Sequence, residues 1–255
     1  MLYIGLQRYT KETVEKLMSV NPDGVILGDL LCDRKMFPYG DVELTDLMKI
    51  FKNECISVIY QTPMYATDRI FSSVLQKVTY FYMNCLIDAV IVQDIGLASV
   101  IRDKCSDLTI IWGRMGYART PVINENTLLF YMQHGINAFE CKNRKQAEYA
   151  SQIGAVPYLV YGYPKYLTIN RECYYRFEHN QFADDCAEGC LQHEKMLIPA
   201  NNEIETTIDG YVLGWQHVYD ESVKSTTVFN HCNIYADSFS IAEMKLNELR
   251  ECQQH

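Results

Sequence analysis

The sequence predicts an α/β protein built as a (β/α)8 barrel of the TIM type. Short apolar runs alternate with amphipathic, helix-like segments along most of the 255 residues. They recur at a spacing of about 25 to 30 residues, as in repeated strand-helix units around a parallel sheet. Eight apolar runs have the length and composition of buried strands. The alternation of strands with helices and the number of strands favour a barrel, whether regular or irregular.

The elements follow one another in a regular order. The predicted strands cover residues 2–7, 24–28, 56–61, 89–94, 109–114, 138–141, 156–162 and 233–237. The predicted helices cover residues 10–18, 43–51, 68–85, 96–104, 124–134, 144–152 and 240–251. The first helix begins at a Thr-x-x-Thr pattern, in which a threonine side chain is suited to cap the helix.

One segment interrupts this rhythm. Residues 163–228 contain no clear helical pattern, and residues 195–199, 203–209 and 211–218 are typical of extended structure. We therefore expect one barrel-like domain, residues 1–255, with a cysteine-rich insertion at 163–228 between the seventh and eighth strands. No Gly/Ser-rich linker or low-complexity tract divides the chain.

Composition and charge limit the functions that we expect. The net charge of −9 disfavours binding to nucleic acid, which depends on lysine and arginine at the phosphates. No apolar run approaches the roughly 20 residues that cross a bilayer, and no secretion signal is evident. The expected location is cytoplasmic, so the ten cysteines are expected to be reduced thiols or metal ligands.

Four of the cysteines form a candidate metal site. Twelve residues separate Cys173 from Cys186 and three separate Cys186 from Cys190, in a polar and acidic stretch. Cys32 follows the second predicted strand, and Cys173 lies beyond the seventh. The carboxyl ends of barrel strands share one face, so Cys32 is the best-placed fourth ligand. Four thiolates suit either structural zinc or an iron-sulfur cluster.

The remaining six cysteines have a simpler interpretation. Free cysteine behaves as a small hydrophobic residue and is often buried. We expect these six to be packing residues in helices and strands: Cys55, Cys85, Cys105, Cys141, Cys232 and Cys252.

Polar residues at the predicted strand ends form a second candidate site. They are Asp29, Gln61, Asp94, Arg114 and Glu140. Because strand ends converge on one face of a barrel, these side chains are expected to line a polar pocket with one cation. Asp29 and Arg114 are the best catalytic candidates, since a guanidinium binds a carboxylate by paired hydrogen bonds. A dinucleotide-binding loop and a serine-nucleophile elbow are both absent from the sequence.

These residues together resemble a known family. The motif NPDGVILGDLLCDRK, the pair Tyr161-Gly162 at the seventh strand and the downstream Cys-x12-Cys-x3-Cys spacing resemble peptidase family U-32, the collagenase-like peptidases. The segments WGRMGYARTPVINENTLLFYMQHGINAFE and NIYADSFSIAEMKLNELRE extend the resemblance over nearly the whole chain. Within the family, the chain is most similar to the members that act in anaerobic ubiquinone biosynthesis.

The resemblance implies a barrel that carries a 4Fe-4S cluster on Cys32, Cys173, Cys186 and Cys190. It also implies oxygen-independent hydroxylation of a small aromatic or isoprenoid substrate, together with a second family member as heterodimer partner. RNA base hydroxylation, or an electron-transfer or structural subunit, are the alternatives. Tyr161 stands where the peptidase signature has histidine, so proteolysis is not expected.

Overall fold

The computed structural model describes residues 1–6, 9–28, 41–63, 68–113, 125–141, 143–161, 166–169, 196–200, 204–209, 212–215, 230–236 and 239–253. The strands are β1 (Leu2–Leu6), β2 (Gly24–Leu27), β3 (Ser57–Gln61), β4 (Ala89–Val92), β5 (Thr109–Trp112), β6 (Ala138–Cys141), β7 (Val156–Tyr161), β8 (Tyr166–Ile169), β9 (Met196–Ala200), β10 (Ile204–Asp209), β11 (Val212–Trp215) and β12 (Cys232–Ala236). The helices are α1 (Lys11–Val20), α2 (Asp41–Asn53), α3 (Asp68–Met83), α4 (Ile95–Lys104), α5 (Glu125–Gln133), α6 (Arg144–Gln152) and α7 (Phe239–Gln253).

Eight of these strands close a parallel barrel. Their order around it is β1-β12-β7-β6-β5-β4-β3-β2, so that β12 completes the barrel between β1 and β7. Helices alternate with the first seven strands, and α7 follows β12. The predicted TIM-type (β/α)8 fold is therefore confirmed, with small shifts at the ends of the predicted elements.

A second sheet accounts for the strands between β7 and β12 in sequence. Its four antiparallel strands are ordered β8-β11-β10-β9. The three extended segments predicted in this region correspond to β9, β10 and β11. Strand β8 was not predicted from the sequence. The cysteine loop of the predicted insertion lies outside the described residues.

The barrel strands are buried on both faces, as expected for a parallel sheet enclosed by helices. On the outer face Ile4, Val25 and Val58 are completely buried in the layer between the strands and the helices. The inner face has a smaller apolar cluster of Tyr3, Ile26, Ile59, Ala89, Ile91, Ile111, Ala138 and Tyr158. Since side chains alternate along a strand, residues two apart point to the same face. This alternation determines which polar residues enter the barrel.

Side-chain caps begin three of the helices. The Thr10 Oγ1 accepts a hydrogen bond from the Thr13 backbone N–H at 3.1 Å, as the Thr-x-x-Thr pattern predicts. Asp94 caps α4 and Asn143 caps α6 by the same type of bond. Each cap satisfies a backbone donor that would otherwise have no partner within the helix.

The turns after α2, α3, α5 and α6 share one backbone conformation. Cys55, Cys85, Gly135 and Gly154 all have positive φ, at 59°, 55°, 86° and 84°. After α3, the Leu86 N–H donates to the Phe81 carbonyl at 2.9 Å, the bond that closes a Schellman motif. Glycine is the usual residue at this left-handed position, so the two cysteines are exceptions. No helix in the described ranges is long and apolar enough to cross a membrane.

Candidate functional site

The residues predicted to bind metal or substrate fall largely outside the described part of the chain. This holds for Asp29, Cys32, Arg114, Cys173, Cys186 and Cys190. In sequence, Asp29 and Cys32 follow the end of β2, Arg114 follows the end of β5, and Cys173 follows β7. Their assignment to the face at the carboxyl ends of the strands remains a prediction.

The described residues reveal a polar set inside the barrel. The strand positions two residues beyond Ile59, Ile91 and Ala138 are Gln61, Gln93 and Glu140, which therefore point inward. Asn233 and Tyr235 on β12 contact Glu140 on β6 past the one strand between them, β7. We call these five residues, Gln61, Gln93, Glu140, Asn233 and Tyr235, the interior polar set. Gln61, Gln93 and Glu140 lie at or near the carboxyl ends of β3, β4 and β6, and Asn233 and Tyr235 lie within β12.

Glu140 is the centre of this set. Only 3% of its surface is exposed. Its Oε1 accepts hydrogen bonds from the Tyr235 hydroxyl at 2.6 Å and from the Asn233 Nδ2 at 2.8 Å. Gly5 allows this arrangement, because a Cβ at that position would lie 3.0 Å from the Tyr235 ring. Bonds of this kind offset the cost of burying a carboxylate, which is high for an isolated charge.

Three amides of the set have polar atoms without a hydrogen-bond partner among the described residues. Within the described ranges, the Gln61 Nε2, the Asn233 Oδ1 and both polar atoms of Gln93 have no hydrogen-bond partner. Gln61 is 4% exposed, Gln93 is 7% exposed and Asn233 is fully buried. The lack of a side chain at Gly113 leaves space for the Gln93 amide, because a Cβ at position 113 would lie 1.7 Å from the Gln93 Nε2. Buried amides without partners are uncommon and usually have a functional reason.

The structure changes part of the predicted strand-end pocket. Gln61 and Glu140 are inside the barrel, as expected for members of that pocket. Asp94 instead caps α4, with its Oδ1 accepting a bond from the Leu97 N–H at 2.8 Å. The neighbouring Gln93, at the end of β4, is the residue that enters the barrel, and it was not predicted from the sequence. Gln93 lies two residues after Ile91. This spacing identifies Gln93 as inward-facing only when Ile91 is known to face inward.

Aromatic side chains close the amino-terminal end of the barrel interior. Tyr158 stacks on His231 with ring centres 4.6 Å apart, and its ring centre is 5.8 Å from that of Tyr3. The Tyr3 hydroxyl lies 3.4 Å from the His231 Nδ1. Burial lowers the pKa of His231 and raises the pKa of Tyr158. Tyr3 and Tyr158 belong to the apolar inner cluster, and His231 packs against them at its amino-terminal end.

The described cysteines differ from the four predicted ligands. Burial raises the pKa of Cys141 to about 12, with a further contribution from the Glu140 carboxylate, and burial also raises the pKa of Cys232 to about 12. Thiols of this kind stay protonated at neutral pH and are poor metal ligands. Cys105 is buried as predicted, whereas the expectation of burial is wrong for Cys55 and Cys85, which are exposed.

No group of three or more potential metal ligands occurs among the residues with described positions. Cys32, Cys173, Cys186 and Cys190 offer four thiols, which is the donor set of a 4Fe-4S cluster or of structural zinc. This donor set fits the cofactor implied by the family resemblance.

The comparisons with known proteins concern the fold. No protein-family model and no curated protein sequence matches the chain. Among solved structures, the U32 peptidase Mk0906 superposes with a TM-score of 0.58 at 15% identity, covering 93% of this chain and 92% of that one. The chain has the fold of this U32 peptidase.

A chitinase from Chromobacterium violaceum covers 99% of both chains, with a TM-score of 0.47 and 9% identity. A 2,3-dimethylmalate lyase has a TM-score of 0.42 and covers 63% of this chain. Both scores are too low to support an argument about function. A barrel fold serves many unrelated activities, so function must be argued from the site.

Proposed function

We propose that this protein is a member of peptidase family U-32 that carries a 4Fe-4S cluster and takes part in oxygen-independent hydroxylation of a small aromatic or isoprenoid molecule. The sequence motifs resemble those of the UbiV-type members, which act in anaerobic ubiquinone biosynthesis. The observation that carries the proposal is the Cys-x12-Cys-x3-Cys spacing, with Cys32 after β2, in a chain that has the fold of a U32 peptidase over nearly its full length.

The cluster would be held by Cys32, Cys173, Cys186 and Cys190. A cluster on four thiolates supplies one-electron chemistry when it is bound. Support comes from the other cysteines: Cys141 and Cys232 are buried with raised thiol pKa values, which removes them as competing ligands. Structural zinc is the alternative for the same donors.

The protein's own side chains would bind and orient the substrate. Arg114 follows β5, where its guanidinium would anchor an anionic group by paired hydrogen bonds. Asp29 follows β2 and would accept or deliver a proton. Glu140, buried and bonded to Tyr235 and Asn233, would fix the polar wall of the interior.

Peptide hydrolysis is not part of the proposal. Tyr161 occupies the place of the histidine in the peptidase signature, and it belongs to the outer layer of the barrel. Its hydroxyl donates to the Glu248 Oε2 at 2.7 Å, and the Lys245 Nζ lies 5.3 Å from its ring centre. These contacts connect β7 to α7. They give Tyr161 a packing role that differs from that of a catalytic histidine.

A second U-32 protein is the proposed partner, as the family resemblance implies. Affinity purification under anaerobic conditions, followed by mass spectrometry, should recover that protein in a stoichiometric complex. Recovery of a fully active monomer would contradict the heterodimer.

Deletion of the gene tests the proposed activity. Cells without it should lose a hydroxylated metabolite when grown without oxygen and keep it when grown in air. Wild-type protein and the Cys55→Ala control should restore the metabolite, whereas Cys186→Ala should not. An equal defect in air, or full rescue by Cys186→Ala, would contradict the redox role.

A further inference from the structure

We propose that Gly28 and Tyr9 are positioning residues for Cys32, the predicted cluster ligand that follows β2 in sequence. Gly28 sets the direction in which the chain leaves the strand, and Tyr9 fixes the point from which it leaves. This inference rests on the proposed function, because it concerns one ligand of the proposed cluster. Neither Gly28 nor Tyr9 is itself a ligand.

Gly28 has a backbone conformation that a side chain would oppose. Its φ is 111°, whereas the non-glycine residues with positive φ in the described ranges, Asn21, Cys55 and Cys85, have values of 46°, 59° and 55°. Glycine adopts such angles without a steric penalty, because it has no Cβ. The first residue after β2 therefore favours glycine for its backbone alone.

The end of β3 also lies directly against Gly28. A Cβ at position 28 would lie 2.1 Å from the Gln61 carbonyl oxygen, whereas ordinary contact begins at 3.4 Å. The strand around Gln61 is held from its other side, since Gln61 pairs with Ile91 of β4. Thr62 donates to the Ile91 carbonyl from its N–H at 2.9 Å and from its Oγ1 at 3.1 Å. A side chain at position 28 would therefore displace the chain after β2 rather than β3.

The Tyr9 hydroxyl connects β1 to β2 near their carboxyl ends. It accepts a hydrogen bond from the Leu6 N–H at 3.2 Å and donates to the Ile26 carbonyl at 2.7 Å, with the Ile4 carbonyl 3.2 Å away. The Tyr9 ring makes an edge contact with the buried Phe51 of α2, with 6.5 Å between the ring centres. Tyr9 thus contacts both the strand and the helix between which the predicted ligand lies in sequence.

The short stretch of chain between Gly28 and Cys32 makes these constraints relevant to the cluster. Cys32 is the fourth residue after Gly28. Four residues span at most about 14 Å, so the direction set at Gly28 limits where Cys32 can lie. Binding groups must be held within about 0.5 Å of their working positions. A displacement of about 1.3 Å, the difference between 3.4 Å and 2.1 Å, exceeds this tolerance.

Gly28→Ala tests the proposal, with Gly154→Ala as its matched control. Gly154 has a positive φ of 84°, but a Cβ there meets no atom within 4 Å, so the control adds a backbone penalty without a contact. Iron and sulfide per chain and the rate of iron release to a chelator are measured on proteins purified without oxygen. Gly28→Ala should lose most of its iron and sulfide or release iron about tenfold faster than wild type. Gly154→Ala should match wild type in both measurements.

The fold is checked separately, by circular dichroism and urea denaturation of the metal-free proteins. A Gly28→Ala variant that is less stable but keeps a full cluster with the wild-type rate of iron release would overturn the proposal, because Gly28 would then serve the barrel alone. A wild-type protein without iron and sulfide would overturn the proposed function and this inference together.

Tyr9→Phe is the second variant, and it decides the matter if Gly28→Ala does not fold. Phenylalanine keeps the ring contact with Phe51 and removes only the hydroxyl shared by Leu6 and Ile26. Iron release should again be faster than in wild type, whereas Tyr80→Phe, at an exposed ring, should release iron at the wild-type rate. Equal rates in Tyr9→Phe and Tyr80→Phe would overturn the role of Tyr9.

Discussion

The Tyr235 hydroxyl on β12 donates a 2.6 Å hydrogen bond to the Glu140 Oε1 on β6. The two residues lie 95 positions apart in sequence and on strands that are not neighbours, since β7 separates β6 from β12. The bond therefore links β6 and β12 over β7, the strand between them. It also provides one donor to the buried Glu140 side chain, and the Asn233 Nδ2 provides another.

Tyr235→Phe should destabilise the protein. The change keeps the ring beside Gly5 and removes a bond to a charged, buried acceptor, which is worth about 1.5–3 kcal/mol in free energy of unfolding. Chemical denaturation should show this loss, whereas Tyr80→Phe, at an exposed ring, should stay within about 0.5 kcal/mol of wild type. Equal stability of the two variants would show that the bond contributes nothing.

The cysteines at left-handed positions lead to a second prediction. Cys85→Gly should stabilise the protein by about 0.5–1 kcal/mol, because glycine adopts φ of 55° without a Cβ penalty. Cys85→Ala keeps the Cβ and should change little. Gly154→Ala is the reverse control, since a Cβ there meets no atom within 4 Å and only the φ of 84° opposes it. Destabilisation by Cys85→Gly in a urea titration would contradict this account of the turn.

The burial of His231 makes the stability of the protein depend on pH. Burial, with a smaller effect of the Met1 ammonium group, lowers its pKa below the ordinary value of 6.5. Protonation therefore favours the unfolded chain. The contribution of His231 to stability is complete above about pH 6.5 and is lost as the pH falls from there through the lowered pKa of the folded state.

Urea midpoints at pH 7.5 and 5.5 should differ more for wild type than for His231→Phe. Phenylalanine keeps a ring to stack on Tyr158 but does not titrate. His134→Phe, in the turn after α5, should retain the wild-type difference. If the His231→Phe variant showed the same difference between the two pH values as wild type, the pH dependence would have to come from other groups.

The barrel could be predicted from the sequence because its strands are short apolar runs between amphipathic helices. The polar interior could not be predicted as well, since inward and outward positions follow from the register of a closed sheet. Gln93 and Asp94 are adjacent, and only the structure shows that the first enters the barrel and the second caps a helix. Asn233 and Tyr235 likewise lie within a short strand, β12, and the sequence did not indicate that they face the interior.

Local backbone conformation explains the error about exposed cysteines. Cys55 and Cys85 were expected to be buried because of their apolar character, but they follow the last turns of α2 and α3, where the chain reverses. Cys105, Cys141 and Cys232 fit the packing interpretation. The residues predicted to bind the cluster, Cys32 and the three of the Cys-x12-Cys-x3-Cys motif, remain predictions from spacing and family resemblance.

Iron and sulfide analysis of protein purified without oxygen tests the proposed cluster most directly. The account predicts a brown protein with about four irons and four sulfides per chain. Replacing Cys32, Cys173, Cys186 or Cys190 by alanine should abolish this content, while Cys55→Ala and Cys105→Ala should preserve it. A colourless protein with one zinc and no sulfide, or a full cluster in the Cys173→Ala variant, would contradict the central claim.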